Sequence, residues 1–262
     1  MKNIAVLIDF SEGCKKALHQ SRVIAELTGA NIHALNVTSD PITEEEHMML
    51  AAYVTEVIGT SIPLKTHLLD GRLLHALVGG LEEIKPDLVV LCTHGVQGIM
   101  QKLFGAHVLK LVQSISTTFV VVHENSDVDE RGFARILFPA THSANAQLLI
   151  ERVMTVAAEC DSEVVFYEID KYTGGAEGEI QKNFDLAKKA MKAKGVRFTH
   201  VKEPPANHSL GYTRQILDFA AANGIGLIAA LSEVSDLGFL MMKSDKEKLL
   251  TNEQGIPILA CG

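Results

Sequence analysis

Two short stretches of the 262-residue sequence combine side chains and backbone that could meet a ligand. The first is Ile8-Asp9-Phe10-Ser11, where an apolar run stops at a carboxylate and a hydroxyl follows. A carboxylate there can accept hydrogen bonds from a purine or ribose edge, and either Asp9 or Ser11 can equally cap a helix whose first N–H groups need acceptors. The second is Cys92-Thr93-His94-Gly95, with Gly98 in the loop beyond it and Gly105-Ala106-His107 following after nine residues. Glycines at both ends of a loop ahead of a helix let backbone N–H groups close on a phosphate, and the helix dipole favours the anion. Gly95 also suits a turn that needs positive φ, and Gly98 a flexible loop.

Other chemistries lack their patterns. The eleven histidines include no i,i+4 pair and no H-E-x-x-H, so no metal is expected. No G-x-S-x-G elbow and no G-x-x-x-x-G-K-[ST] loop occurs, which leaves neither an activated nucleophile nor a P-loop.

The elements that must position these stretches are short apolar runs alternating with helical spacing. Ile4–Ile8, Asn31–Val37, Leu64–Leu69, Leu88–Cys92 and Thr118–Val122 read as strands. Ser11–Leu27, Glu44–Ile58, Leu73–Ile84 and a stretch after Gly105 read as helices. Strands apolar throughout, alternating with helices, predict a parallel sheet covered on both faces, a doubly wound α/β unit. Ligands of such a sheet bind beyond the carboxyl ends of its strands, where strand order reverses, and both stretches fall there.

A polar, acidic segment, Glu124–Arg131, reads as a linker, and a second α/β series follows it. Its strands are Arg135–Ala140, Val164–Ile169, Val196–Val201, Leu227–Leu231 and Ile258–Ala260, and its helices Ser143–Ala158, Ile180–Ala193, Tyr212–Ala222 and a stretch near Asp245–Asn252. Asp9-Phe10-Ser11 matches Thr141-His142-Ser143, and Asp87–Leu91 matches Gly226–Ala230 seven residues further out of step. The glycine-rich stretch Lys171–Glu179 is the natural place for the added length. The expectation is therefore two tandem doubly wound parallel-sheet domains, 1–124 and 132–262.

A net charge of −8 argues against surfaces built to neutralise nucleic acid or anionic lipid, and no apolar stretch approaches the length of a membrane span. Four scattered cysteines without a C-x-x-C pair fit buried thiols in a reducing cytoplasm. Met1-Lys2-Asn3 leads into an apolar run too short for a signal segment.

The loop spacing and the aspartate resemble the universal stress protein family, in two copies that span essentially the whole chain. That family carries Gly-x-x-Gly, nine residues, then Gly-Ser/Thr after strand four, and an Asp ending strand one. The resemblance implies the adenine nucleotide alpha hydrolase-like fold and a regulatory stress-response protein rather than an enzyme, with slow ATP hydrolysis the one activity left open. It further implies ATP bound in the first domain by Asp9, Phe10, Ser11, Val37, Thr93, His94, Gly95, Gly98, Gly105, Ala106 and His107, with Asp9 against adenine and Val37 near the base. Cys92 stands where the first glycine belongs and Ala106 where the phosphate-binding Ser/Thr belongs; His107 is a candidate replacement donor. In the second domain Thr141, Val234 and Ser244 replace the Asp and two glycines, so no nucleotide is expected there. Its apolar Phe239–Met242 reads as packing on the neighbouring domain or as a pocket for an apolar ligand. The alternative is a nucleotide-independent scaffold for protein or apolar-ligand contacts. The family also implies pairing of the two domains through Phe119–Val122 and Ile258–Ala260, within one chain or in a homodimer.

Overall fold

The computed structural model describes residues 1–38, 42–93, 105–128, 130–141, 143–169, 177–204, 212–231, 249–250 and 252–261. Five strands of the first half, β1 (Asn3–Ile8), β2 (Asn31–Thr38), β3 (Leu64–Asp70), β4 (Leu88–Thr93) and β5 (Thr118–His123), alternate with helices α1 (Glu12–Thr28), α2 (Glu44–Ile58), α3 (Leu73–Ile84) and α4 (Gly105–Ser114). The second half repeats the scheme with β6 (Arg135–Pro139), α5 (Ala146–Glu159), β7 (Glu163–Ile169), α6 (Glu177–Lys194), β8 (Arg197–Glu203), α7 (Tyr212–Ala222), β9 (Leu227–Leu231) and β10 (Ile258–Cys261).

The ten strands among the described residues lie in one sheet, in the order β3-β2-β1-β4-β5-β10-β9-β6-β7-β8. Read from either edge inward, each half has the same strand order, so the repeat seen in sequence is a repeat of topology. Every pairing is parallel except the central one, where β5 runs antiparallel to β10 with Leu259 opposite Val120 and Ala260 opposite Phe119. These are the segments in which the contact between halves was expected.

The inner strands are buried on both faces, and their alternate residues feed two separate cores. Ile4, Val6, Leu88 and Val90 point to a cluster completed by α1, α2, α5 and α6. Ala5, Leu7, Val89 and Leu91 point to the opposite cluster, completed by α3, α4 and α7. Helices on both faces make each half doubly wound. Among the described residues, no helix is long and apolar enough to cross a membrane.

Three details differ from the sequence expectation. Helix α5 begins at Ala146 and not at Ser143, because the Ser143 hydroxyl accepts from the Asn145 N–H at 3.1 Å and holds that backbone in a local turn. Helix α6 begins at Glu177, so the last three residues of the expected insertion are its acidic first turn, favoured by the helix dipole. Of the helix expected near Asp245–Asn252, Leu249 and Leu250 are described and are helical; the rest of it up to residue 248, and most of the inserted stretch, lie outside the described residues. The segment read as a linker is anchored at its start: Ser126 is buried, and its hydroxyl accepts from the His123 N–H at 2.8 Å and donates to the Gly255 carbonyl at 2.5 Å.

Gly255 is where that clasp is tightest. Its φ is +67°, and a Cβ there would lie 2.8 Å from the Asn125 carbonyl oxygen. Gly29, with φ +70°, has nothing within 4 Å of such a Cβ. Gly29→Ala therefore meets only the left-handed backbone penalty, about 1 kcal/mol, whereas Gly255→Ala adds a backbone clash and is expected to cost roughly 3 kcal/mol or more in urea denaturation.

Candidate functional site

Strand register sets three of the candidate residues level with one another. Ile8 lies opposite Asn36 and Val6 opposite Val90, so Asp9, Val37 and Thr93 follow at the same height on three adjacent strands. The chain passes to opposite sides of β1 at this point, which makes it the crevice of the open sheet. The Asn36 amide donates to the Ile8 carbonyl at 2.8 Å and ties the ends of β1 and β2 together. Val37 is half-buried against the α3 and α4 face.

The Asp9-Phe10-Ser11 turn is built by the aspartate itself. Asp9 Oδ1 accepts from the Ser11 N–H at 3.0 Å and from the Ser11 hydroxyl at 2.6 Å. The Ser11 Oγ in turn accepts from the Cys14 N–H at 3.1 Å, which makes Ser11 the N-cap of α1. Capping thus falls to the serine, with the carboxylate orienting it. Phe10 carries the backbone strain of the turn, with φ +60°, and leaves its ring exposed and edge-on to Tyr53 at 5.1 Å.

Tyr53, on α2, is a residue the sequence reading missed. Its hydroxyl donates to the Ser11 carbonyl at 3.0 Å, closing the turn from above. The second half does the same with different chemistry: the Asn183 amide, on α6, donates to the carbonyls of Thr141 at 2.9 Å and Ser143 at 3.2 Å. There Thr141 Oγ1 accepts from the Ser143 N–H at 3.1 Å, so a neutral hydroxyl takes the place of the Asp9 carboxylate. Neither staple has a local sequence signal, since each spans about forty residues. Cys14, at the start of α1, would be activated by the helix dipole if exposed, but burial pushes its thiol up to about 12 and leaves it inert.

Cys92 packs inward. It is buried in the α1 and α2 core, and its Sγ would lie 2.7 Å from a Cβ on Gly13, so the thiol at 92 is matched by a glycine on the helix above it. Thr93 points to the other face and is buried, with its Oγ1 3.1 Å from His123 Nδ1 and 3.4 Å from the Leu250 carbonyl oxygen. His123 Nε2 lies 2.9 Å from the Asn252 amide nitrogen. His94, Gly95 and Gly98 lie outside the described residues. Gly105, Ala106 and His107 form the first turn of α4. Among the described residues, no group of three or more His, Cys, Asp or Glu is placed to hold a metal ion.

Two measurements test this arrangement. Tyr53→Phe removes one hydrogen bond and is expected to cost about 1 kcal/mol, while Asn183→Ala strands two buried carbonyls and is expected to cost roughly 2–3 kcal/mol, both read by chemical denaturation. Burial pushes the His123 pKa down to about 4, against a smaller opposing contribution from the Ile256 backbone. Its folded value is below that of the unfolded chain, near 6.5, so its contribution is complete above pH 6.5 and is lost as pH falls toward 4. Stability should drop across that window by up to roughly 3 kcal/mol on account of His123, and His123→Asn should flatten the drop.

Residues 1–123 match the model of the universal stress protein family. No curated protein sequence matches the chain. A universal stress protein from Archaeoglobus fulgidus superposes with a TM-score of 0.70 at 14% identity, covering 99% of this chain and 95% of that one. A protein from Pseudomonas aeruginosa described as a universal stress protein gives 0.61 at 13% identity, over 100% of this chain and 93% of that one. The cytoplasmic domain of a prokaryotic cation chloride cotransporter gives 0.56 at 10% identity, over 99% and 94%. At these identities the structural likenesses speak for the fold over both halves, and the family match speaks for the first. Residues 1–123 thus match the universal stress protein family in sequence, and the whole chain shares the fold of universal stress protein structures.

Proposed function

We propose that this protein binds an adenine nucleotide, ATP, in a first domain of residues 1–124, and that residues 132–262 form a second domain whose own site has lost that capacity. The observation that carries the reading is the level placement of Asp9, Val37 and Thr93 across β1, β2 and β4 at the crevice. Asp9 supplies an acceptor for the base or ribose, Val37 an apolar wall, and the loop from Thr93 to the first turn of α4, with His94, Gly95, Gly98, Gly105, Ala106 and His107, the backbone donors for phosphate. Phe10 and Ser11 set the turn that carries Asp9. The role is regulatory binding in a stress response rather than catalysis, a reading supported by the match of residues 1–123 to the universal stress protein family. Four buried cysteines, all thiols, support a reducing, cytoplasmic setting.

A second reading, a scaffold for protein or apolar-ligand contacts without nucleotide, is favoured by Ala106, which lacks the hydroxyl the phosphate would use, and by Met48 and Met49, exposed on the outer side of α2. Calorimetric titration separates the two. The wild-type chain is expected to release heat with ATP at millimolar concentration or below, Asp9→Ala to abolish it, and Ala106→Ser to tighten it by about ten-fold through one regained hydrogen bond to a charged group. No heat and no thermal shift with the wild-type chain would leave the scaffold reading standing.

A further inference from the structure

One buried chain of hydrogen bonds links the two halves at the candidate site, and its direction can be worked out atom by atom. Asn252 Oδ1 accepts from the Ile256 N–H at 3.0 Å, which fixes which side of the amide is oxygen. The amide nitrogen therefore faces His123 Nε2 at 2.9 Å, as well as the carbonyls of Leu249 and Ile256, each at 2.9 Å. An amide nitrogen cannot accept, so the 2.9 Å contact is a hydrogen bond only with Nε2 as its acceptor, which places the ring proton on Nδ1. Nδ1–H then donates to Thr93 Oγ1 at 3.1 Å, and the Thr93 hydroxyl is left to donate to the Leu250 carbonyl at 3.4 Å. The chain begins and ends in the second half, between residues 249 and 256, and passes through the last residues of β4 and β5. Thr93, His123 and Asn252 are all at most 4% exposed, so water does not compete for these bonds.

We propose that Asn252 and His123 are positioning residues for the first half's site: through them the second half fixes the Thr93 rotamer and the end of β4, from which the loop to α4 departs. The second half is then part of the site although it contributes no atom to the ligand. The consequence for ligand affinity rests on the nucleotide reading above; the proton direction and the hold on β4 do not. Other bonds keep the halves clasped when this chain is cut, since the Asn125 amide donates to the Glu253 carbonyl at 2.7 Å and Ser126 bonds Gly255.

Imidazole nitrogen NMR on the full-length protein, with His123 assigned through His123→Asn, reads the tautomer directly. Wild type is expected as the neutral Nδ1–H form. Asn252→Asp puts a carboxylate acceptor against Nε2 and is expected to move the proton there, an inversion that a residue filling space alone would not produce. Asn252→Ala is expected to weaken ATP binding by about ten-fold with the circular dichroism spectrum retained. A wild-type Nε2–H form, or an Asn252→Ala affinity within about two-fold of wild type, overturns the proposal. If wild type binds no ATP, the nucleotide reading has failed and amide exchange decides the inference instead. Asn252→Ala should then speed exchange at Cys92 and Thr93 by about ten-fold or more, and unchanged exchange there overturns it. Should Asn252→Ala fail to fold, the Asn252→Asp spectrum decides: an inverted tautomer supports the proposal and an unchanged one overturns it.

Discussion

The ladder between β5 and β10 is the constraint on which the rest depends. Each is the last strand of its half and would be an open, largely apolar edge if the halves stood apart, a template for uncontrolled pairing. Set antiparallel to one another, with Val121 opposite Ile258 and Phe119 opposite Ala260, they become the centre of a ten-stranded sheet. The strands left at the true edges, β3 and β8, carry Lys65 and Asp70 on one side and Arg197, Lys202 and Glu203 on the other, charges that discourage further addition. Because β4 lies beside β5, the same ladder brings the segment before β10 against the carboxyl end of β4. The contact between Thr93 and Leu250 follows from strand pairing and from nothing local to either residue.

Much of this was legible in the sequence because it is periodic. Helices α2, α3 and α7 and strand β9 fall where the spacing puts them, and the shared strand order of the halves follows from the repeat between Asp9–Ser11 and Thr141–Ser143. The start of α5 was not legible, since the sequence around Ser143 suits a cap as well as the turn that its hydroxyl makes with Asn145. Three contacts had no signal at all: Tyr53 on the Ser11 carbonyl, Cys92 against Gly13, and Asn252 on His123. Each joins residues tens of positions apart or more through side chains, where period carries no information. His123 reads in sequence as the flank of a polar, acidic linker, and only its partners make it a buried, neutral ring.

Cys92 shows how a departure from the family pattern can be absorbed. A side chain where a glycine is expected looks like an obstruction to ligand. Its thiol instead turns into the core, and Gly13 supplies the space, since any Cβ at 13 would meet the sulfur at 2.7 Å. The residue at 92 is thus a packing matter shared with α1, whereas at 106 the family resemblance implies a hydroxyl that alanine lacks.

The two copies of the first turn also separate what the fold needs from what it does not. In the first half Asp9 receives the Ser11 N–H and Tyr53 closes the carbonyl side; in the second, Thr141 receives the Ser143 N–H and Asn183 closes the carbonyl side. A neutral hydroxyl therefore suffices to accept that N–H at the turn between strand one and helix one. The negative charge at Asp9 is an addition that this bond does not require, beside a strained Phe10 whose ring stays in solvent. The carboxylate also accepts from the Ser11 hydroxyl at 2.6 Å, and so orients the N-cap of α1.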